Sequence, residues 1–187
     1  PLVSGAPEAQ SDELAQKAQQ ALQALDDRRI DESITLYAEL SQALPEIAAL
    51  NMNLGMAHFL AGHNPIAADK LSEAVAADAS LATGWLFLGA SYMELGKPDQ
   101  AVSALQEYVE LKPKPTEGLQ MLGDALIEVG HYGPAIERFE QLAIMTPGRP
   151  RTWYGLGRAY EGAAGRAFVT LDEVAPESGY WFSLIAA

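Results

Sequence analysis

Large apolar residues recur along the chain at helical spacing, and the recurrence itself has a period of 34 residues. Leu54, Leu88 and Leu122 hold one slot, each followed by a glycine, Gly55, Gly89 or Gly123. His58, Tyr92 and Leu126 come next, then a second glycine at Gly62, Gly96 and Gly130. Further on, Ala67, Ala101 and Ala135 share one offset, and Leu71, Leu105 and Phe139 another. A fixed period of this length marks stacked repeats, each a supersecondary unit that cannot bury its apolar face alone. Trp85, Leu88 and Tyr92 stand three and four apart, which puts them on one side of a helix. A glycine inside that helix costs about 1 kcal/mol relative to alanine, so its repetition predicts a second helix approaching closely there. The second glycine is placed to end the helix in the left-handed conformation. Pro65, Pro98 and Pro134 open the next helix, where a missing N–H is no loss. Pro45, Pro113 and Pro147 stop it, because proline disfavours helical geometry in the residue before it.

These signals predict helix–turn–helix repeats near residues 14–47, 48–81, 82–115 and 116–149. The first is degenerate, with Ala21 in place of the glycine and Ser33 in place of the alanine, while Tyr37 and Pro45 keep the phase. A fifth begins with Trp153, Leu156, Gly157 and Tyr160, and Gly157 falls in the close-approach slot. No turn glycine and proline follow it in phase. Instead Trp153, Gly157, Tyr160, Ala164, Ala167, Leu171 and Val174 form one stripe at alternating spacings of three and four. That predicts a single atypical long helix within 150–175; a left-handed turn at Gly165 would restore a hairpin. Residues 177–187 read as the first half of another repeat, with Trp181 and Leu184 in phase, and residues 1–10 as a flexible leader or linker ahead of a solenoid over 11–187.

Trp85, Leu88, Gly89, Tyr92, Ala101 and Pro113 resemble the consensus of the tetratricopeptide repeat (TPR) family, which has the same period. Residues 48–147 carry the resemblance most fully. It implies an all-α fold, a right-handed superhelix (TPR solenoid) of paired antiparallel helices with about four to five repeats plus a partial C-terminal one. It also implies that the first helix of each repeat lines a concave groove. Carried over by position, the groove residues are Leu22 in the first repeat and Met52, Asn53, Met56 and Phe59 in the second. The third gives Leu86, Phe87 and Met93, the fourth Met121 and Asp124, and the fifth Arg151, Tyr154 and Arg158. Some TPR proteins grip a C-terminal carboxylate with Lys and Asn at two of these positions. Here the pairs are Ala18 and Leu22, Met52 and Met56, and Leu86 and Ala90, so the resemblance does not extend to that clamp.

Composition narrows the function. The net charge is −13, and nucleic-acid binding rests on clustered Lys and Arg, so a polyanionic partner is disfavoured. An acidic membrane surface is disfavoured for the same reason, and no apolar run approaches a membrane span. There is no cysteine, which excludes disulfides, thiolate metal sites and cysteine nucleophiles. His58 takes a packing slot, whereas His63 and His131 fall in turns; the five-residue spacing of His58 and His63 is not that of a helical zinc pair. Gly155 and Gly157 lie inside a predicted helix with no strand ahead, so a dinucleotide motif fails its context. With no convergent catalytic constellation, no metal set and no cofactor motif, the expectation is a non-enzymatic protein.

The expected function is a protein–protein interaction scaffold that takes a peptide or amphipathic segment in the apolar groove. Methionine suits such a face because its side chain adapts to irregular partners. The competing account of Met52, Met56 and Phe87 is packing between neighbouring helices. Glu117, Asp124 and Glu128 would match a basic flank on the partner, and Arg151 and Arg158 are either ion-pair partners of acidic neighbours or ligand contacts. The alternatives are self-association through the apolar residues 177–187, giving a homo-oligomer, and an interaction fragment of a larger protein. The start, Pro1-Leu2-Val3-Ser4, has no initiator methionine and reads as the product of upstream removal, which favours an exported, periplasmic location over a cytoplasmic one.

Overall fold

A computed structural model describes residues 6–176 and 178–180, and within them the chain forms nine helices: α1 (Ala6–Asp26), α2 (Ile30–Ala43), α3 (Ala48–Leu60), α4 (Asn64–Ala77), α5 (Ala82–Glu94), α6 (Pro98–Leu111), α7 (Thr116–Glu128), α8 (Tyr132–Met145) and α9 (Pro150–Val174). No strand occurs among the described residues. Helix α1 starts at Ala6, so it takes in residues 6–10, which the sequence assigned to a leader. Residues 1–5 of that leader, and residues 177 and 181–187 of the expected C-terminal repeat, lie outside the described residues. The chain divides into two compact units, one up to Lys114 and one from Pro115.

In the first unit, α1 packs on α2, α3 on α4 and α5 on α6; α2 also packs on α3, and α4 on α5. The glycine of each first helix explains the fit. A Cβ on Gly55 would lie 2.6 Å from Leu71 Cγ, and one on Gly89 would lie 2.5 Å from Leu105 Cγ. Leu71 and Leu105 are wholly buried, so a large side chain from the second helix fills the notch that each glycine leaves. The degenerate first pair solves the same problem with polar atoms. Ser33 Oγ donates to the Ala21 carbonyl at 3.1 Å, which satisfies a hydroxyl with no solvent access.

Each corner is closed by one motif. Gly62 and Gly96 have φ of +77° and +64°, in the left-handed region that glycine enters without steric cost. The residue after each reaches back to the helix: His63 N–H to the His58 carbonyl, and Lys97 N–H to the Tyr92 carbonyl, both at 2.9 Å. The first corner makes the same bond, Arg29 N–H to the Ala24 carbonyl at 2.8 Å, but Arg28 holds the left-handed position at φ +60°. For a residue with a Cβ that conformation costs roughly 1–2 kcal/mol. Arg28→Gly is therefore expected to stabilise the chain by about 1 kcal/mol, read as a higher urea midpoint with an unchanged slope.

The second unit begins with the pair α7 and α8, whose corner glycine, Gly130, is again left-handed at φ +75°. Phe139 of α8 is fully buried and faces two glycines: a Cβ on Gly123 would stand 2.6 Å from its Cζ, and one on Gly155 of α9 2.3 Å from its Cε1. Helix α9 then runs for 25 residues without a break, and Gly165 makes no left-handed turn. Its inner side buries Thr152, Gly155, Leu156 and Ala159 against α7 and α8. Further along, Arg166 lies 4.9 Å over the Tyr132 ring and donates to the Gly130 carbonyl, so the long helix is fastened to the α7–α8 corner. The stripe read from the sequence, by contrast, faces outward: Trp153, Tyr160 and Val174 are all exposed. A Cβ on Gly157 would have nothing within 4 Å, because no second helix among the described residues stands against that side.

Candidate functional site

In the first unit, four of the predicted groove residues come together. Met52, Met56 and Phe59 of α3 and Phe87 of α5 all pack, partly buried, against the core formed by Leu71, Val75 and Leu88. Phe59 and Phe87 meet edge to face with centroids 5.4 Å apart, the preferred geometry for two aromatic quadrupoles. Helices α3 and α5 contain no charged residue except the exposed Glu94 at the end of α5. Leu86 and Met93 are half-buried on α5, and Leu22 is an exposed residue of α1. Each of these Met and Phe side chains contributes to interhelical packing and keeps some surface in solvent.

Asn53 lies near the hydroxyl of Tyr37, a buried side chain whose pKa is raised, chiefly by burial. A cavity of about 360 Å³ opens between α4 and α6, with Val75, Trp85, Leu88 and Tyr92 in its walls. The sequence did not point to it, because Trp85 and Tyr92 were assigned to packing. Trp85 is held by its indole N–H, which donates to the Ala79 carbonyl at 2.9 Å; Trp153, in the same slot two repeats later, donates likewise to the Pro147 carbonyl at 2.8 Å.

In the second unit the predicted residues divide. Arg151 reaches Asp124 at 3.3 Å, and Gln120 Nε2 also donates to that carboxylate at 3.2 Å. Asp124 is thus answered from within the chain, at an exposed arginine where such a pair is worth about 0–1 kcal/mol. Tyr154 and Arg158 stand exposed on α9, and Met121 is half-buried on α7. A cavity of about 460 Å³ lies beside Thr116, Glu117, Gln120, Met121, Arg149 and Arg151. Gln120 is 5 % exposed, and its Oε1 has no hydrogen-bond partner among the described residues.

The remaining polar cluster is His58 and His63, whose Nδ1 atoms are 3.3 Å apart. Sequence spacing treated the two as unrelated, because the helical rule for neighbouring residues stops at the helix end. The left-handed turn at Gly62 folds the chain back and brings the rings to 5.5 Å between centroids. Burial depresses the His58 pKa, with smaller contributions from His63 and Lys70. Among the described residues no group of three or more His, Cys, Asp or Glu gathers as a metal site, and no helix is long and apolar enough to cross a membrane.

Helical hairpins repeating with glycine notches and left-handed glycine corners define an α–α repeat protein. Tetratricopeptide repeat profiles match residues 18–82 and 121–167, and a second profile of the same description matches 82–125. The chain belongs to the tetratricopeptide repeat family, a class of protein-interaction scaffold. No match is found among curated proteins. Among solved structures, MamA superposes with a TM-score of 0.75 at 23% identity, covering 81% of this chain and 82% of that one. A Podosopora anserina putative kinesin light chain with nearly identical TPR-like repeats gives a TM-score of 0.66 at 19% identity, covering 83% and 89%. The first TPR of Spaghetti (RPAP3), bound to an HSP90 peptide, gives 0.61 at 22% identity, covering 64% and 94%. These likenesses concern the fold.

Proposed function

We propose that the chain binds a peptide or amphipathic helical segment on the first-helix face of its N-terminal unit, with apolar anchors of the partner seated on Met52, Met56, Phe59 and Phe87. The observation that carries this is the pairing of two helices almost free of charge with half-buried, adaptable side chains. A surface that served packing alone has no need to exclude charge from its solvent-facing positions. Burying the exposed part of several such residues contributes more than any rim ion pair, since one fully buried Met or Phe is worth roughly 1.5–3 kcal/mol. The surroundings set the sign of the partner. The first unit has sixteen Asp and Glu against seven Lys and Arg, a net of −9, so a basic flank on the segment is favoured. The peptide bound to the first TPR of Spaghetti (RPAP3) supports a peptide ligand for a fold of this kind.

The test is capture of proteins from source cells by wild-type chain and by a Met56→Asp, Phe87→Asp variant, with circular dichroism to check helicity. Capture is expected to fall at least about a hundredfold, since two charges placed under an apolar partner remove roughly 3 kcal/mol or more. An Ala76→Asp, Ser103→Asp variant, altered at the cavity between α4 and α6, should capture as well as wild type. Loss in that variant alone would move the site to the second-helix side. Binding of a differently tagged copy of the chain would instead favour self-association, which exposed Phe168, Val169 and Val174 on α9 would assist.

A further inference from the structure

We propose that His58 and His63 form a two-histidine chelate for a zinc-type divalent cation at the corner between α3 and α4. Two nitrogen ligands at about 2.0–2.1 Å from a tetrahedral ion stand about 3.3–3.4 Å from each other. The two Nδ1 atoms are 3.3 Å apart, which matches that separation. Only one of the two facing nitrogens carries a proton in the neutral pair, and when a cation binds between them that proton leaves Nδ1 and the ring takes its Nε2–H tautomer.

The turn makes this geometry a property of the backbone. Gly62 in the left-handed conformation and the His63 N–H to His58 carbonyl bond hold the two residues face to face. The same corner recurs in the next two repeats, but Tyr92 and Lys97, then Leu126 and His131, occupy the equivalent positions. The chelate therefore occurs once among the described residues. Lys70 is the nearest cation, and its ammonium is held by Glu73 at 2.7 Å, one turn further along α4. Imidazole nitrogens suit Zn²⁺, Cu²⁺ and Ni²⁺. Two protein ligands leave two positions of a tetrahedral ion open to water or to a side chain of a bound partner.

The experiment is titration of the full untagged chain with zinc chloride, followed by calorimetry and by nitrogen NMR of the histidine rings. One zinc per chain is expected, with the Nδ1 resonances of both His58 and His63 shifting and that of His131 unmoved. His63→Ala, in an exposed corner, and His58→Gln, which keeps bulk in a half-buried position, should each weaken binding about tenfold or more, whereas His131→Ala should not. Absence of binding overturns the proposal. So does binding that survives both substitutions, or that depends on only one of the two rings.

Discussion

Phe139→Ala is expected to destabilise the chain by about 3–5 kcal/mol, the range for removing a large aromatic from a site that cannot collapse. The ring is fully buried, and the two surfaces it fills are glycine backbones on α7 and α9. Gly123 and Gly155 have no side chains to relax into the vacated space. The same geometry predicts strong coupling. Gly123→Ala in the wild-type chain places a methyl 2.6 Å from Phe139 Cζ and should destabilise. In the Phe139→Ala chain that methyl enters the cavity, and the substitution should become neutral or stabilising. A double-mutant cycle by urea unfolding should show an interaction of at least about 1 kcal/mol. Additive effects would mean that the glycine and the ring do not share one space.

Gly89→Ala and Gly157→Ala are expected to have opposite signs, although they occupy the same position in their repeats. At Gly89 the added Cβ meets Leu105 Cγ at 2.5 Å and Cδ2 at 2.7 Å, with Leu105 wholly buried, so overpacking should cost about 1–3 kcal/mol. At Gly157 nothing lies within 4 Å, and the residue sits inside a 25-residue helix. Replacing glycine there removes an entropic penalty of about 1 kcal/mol, so the chain should gain up to that amount. Thermal unfolding of the two variants checks both. A loss at Gly157 matching that at Gly89 would require a second helix packed on α9.

The physical basis of what the sequence revealed differs from one element to another. The hairpins, the corners at Gly62, Gly96 and Gly130 and the tight pairs Gly55–Leu71, Gly89–Leu105 and Gly123–Phe139 were legible because each depends on local spacing plus one fixed offset. The unbroken α9 was legible in the stripe from Trp153 to Val174, but the direction that stripe faces was not. Periodicity identifies a side of a helix without saying what covers it, and here the buried side is Thr152, Gly155, Leu156 and Ala159. The pattern marked Gly157 as a close-approach residue because the cue is the glycine itself; the missing partner helix is a tertiary fact. Arg28 in a left-handed corner escaped notice because composition signals that conformation only when glycine supplies it.

The candidate site shows the same division. Met52, Met56, Phe59 and Phe87 converge because positions on adjacent first helices are fixed by the repeat. Asp124 was assigned to the groove by position, and its carboxylate also meets Arg151 and Gln120. Hydrogen-bond choice between near neighbours is decided by side-chain torsions that a periodic pattern does not encode. The contact of His58 with His63 lies across a helix terminus, where the rule of three and four no longer operates.

Because bulk and notch are matched within each hairpin, the hairpin is the natural unit of exchange when such chains recombine. A crossover in the linker after α4 transplants Gly55 together with Leu71. One at the corner between α3 and α4 would marry a notch cut for leucine to whatever ring or branch the incoming helix brings, as Phe139 would in place of Leu71. Libraries joined at linkers should thus retain folded members far more often than libraries joined at corners.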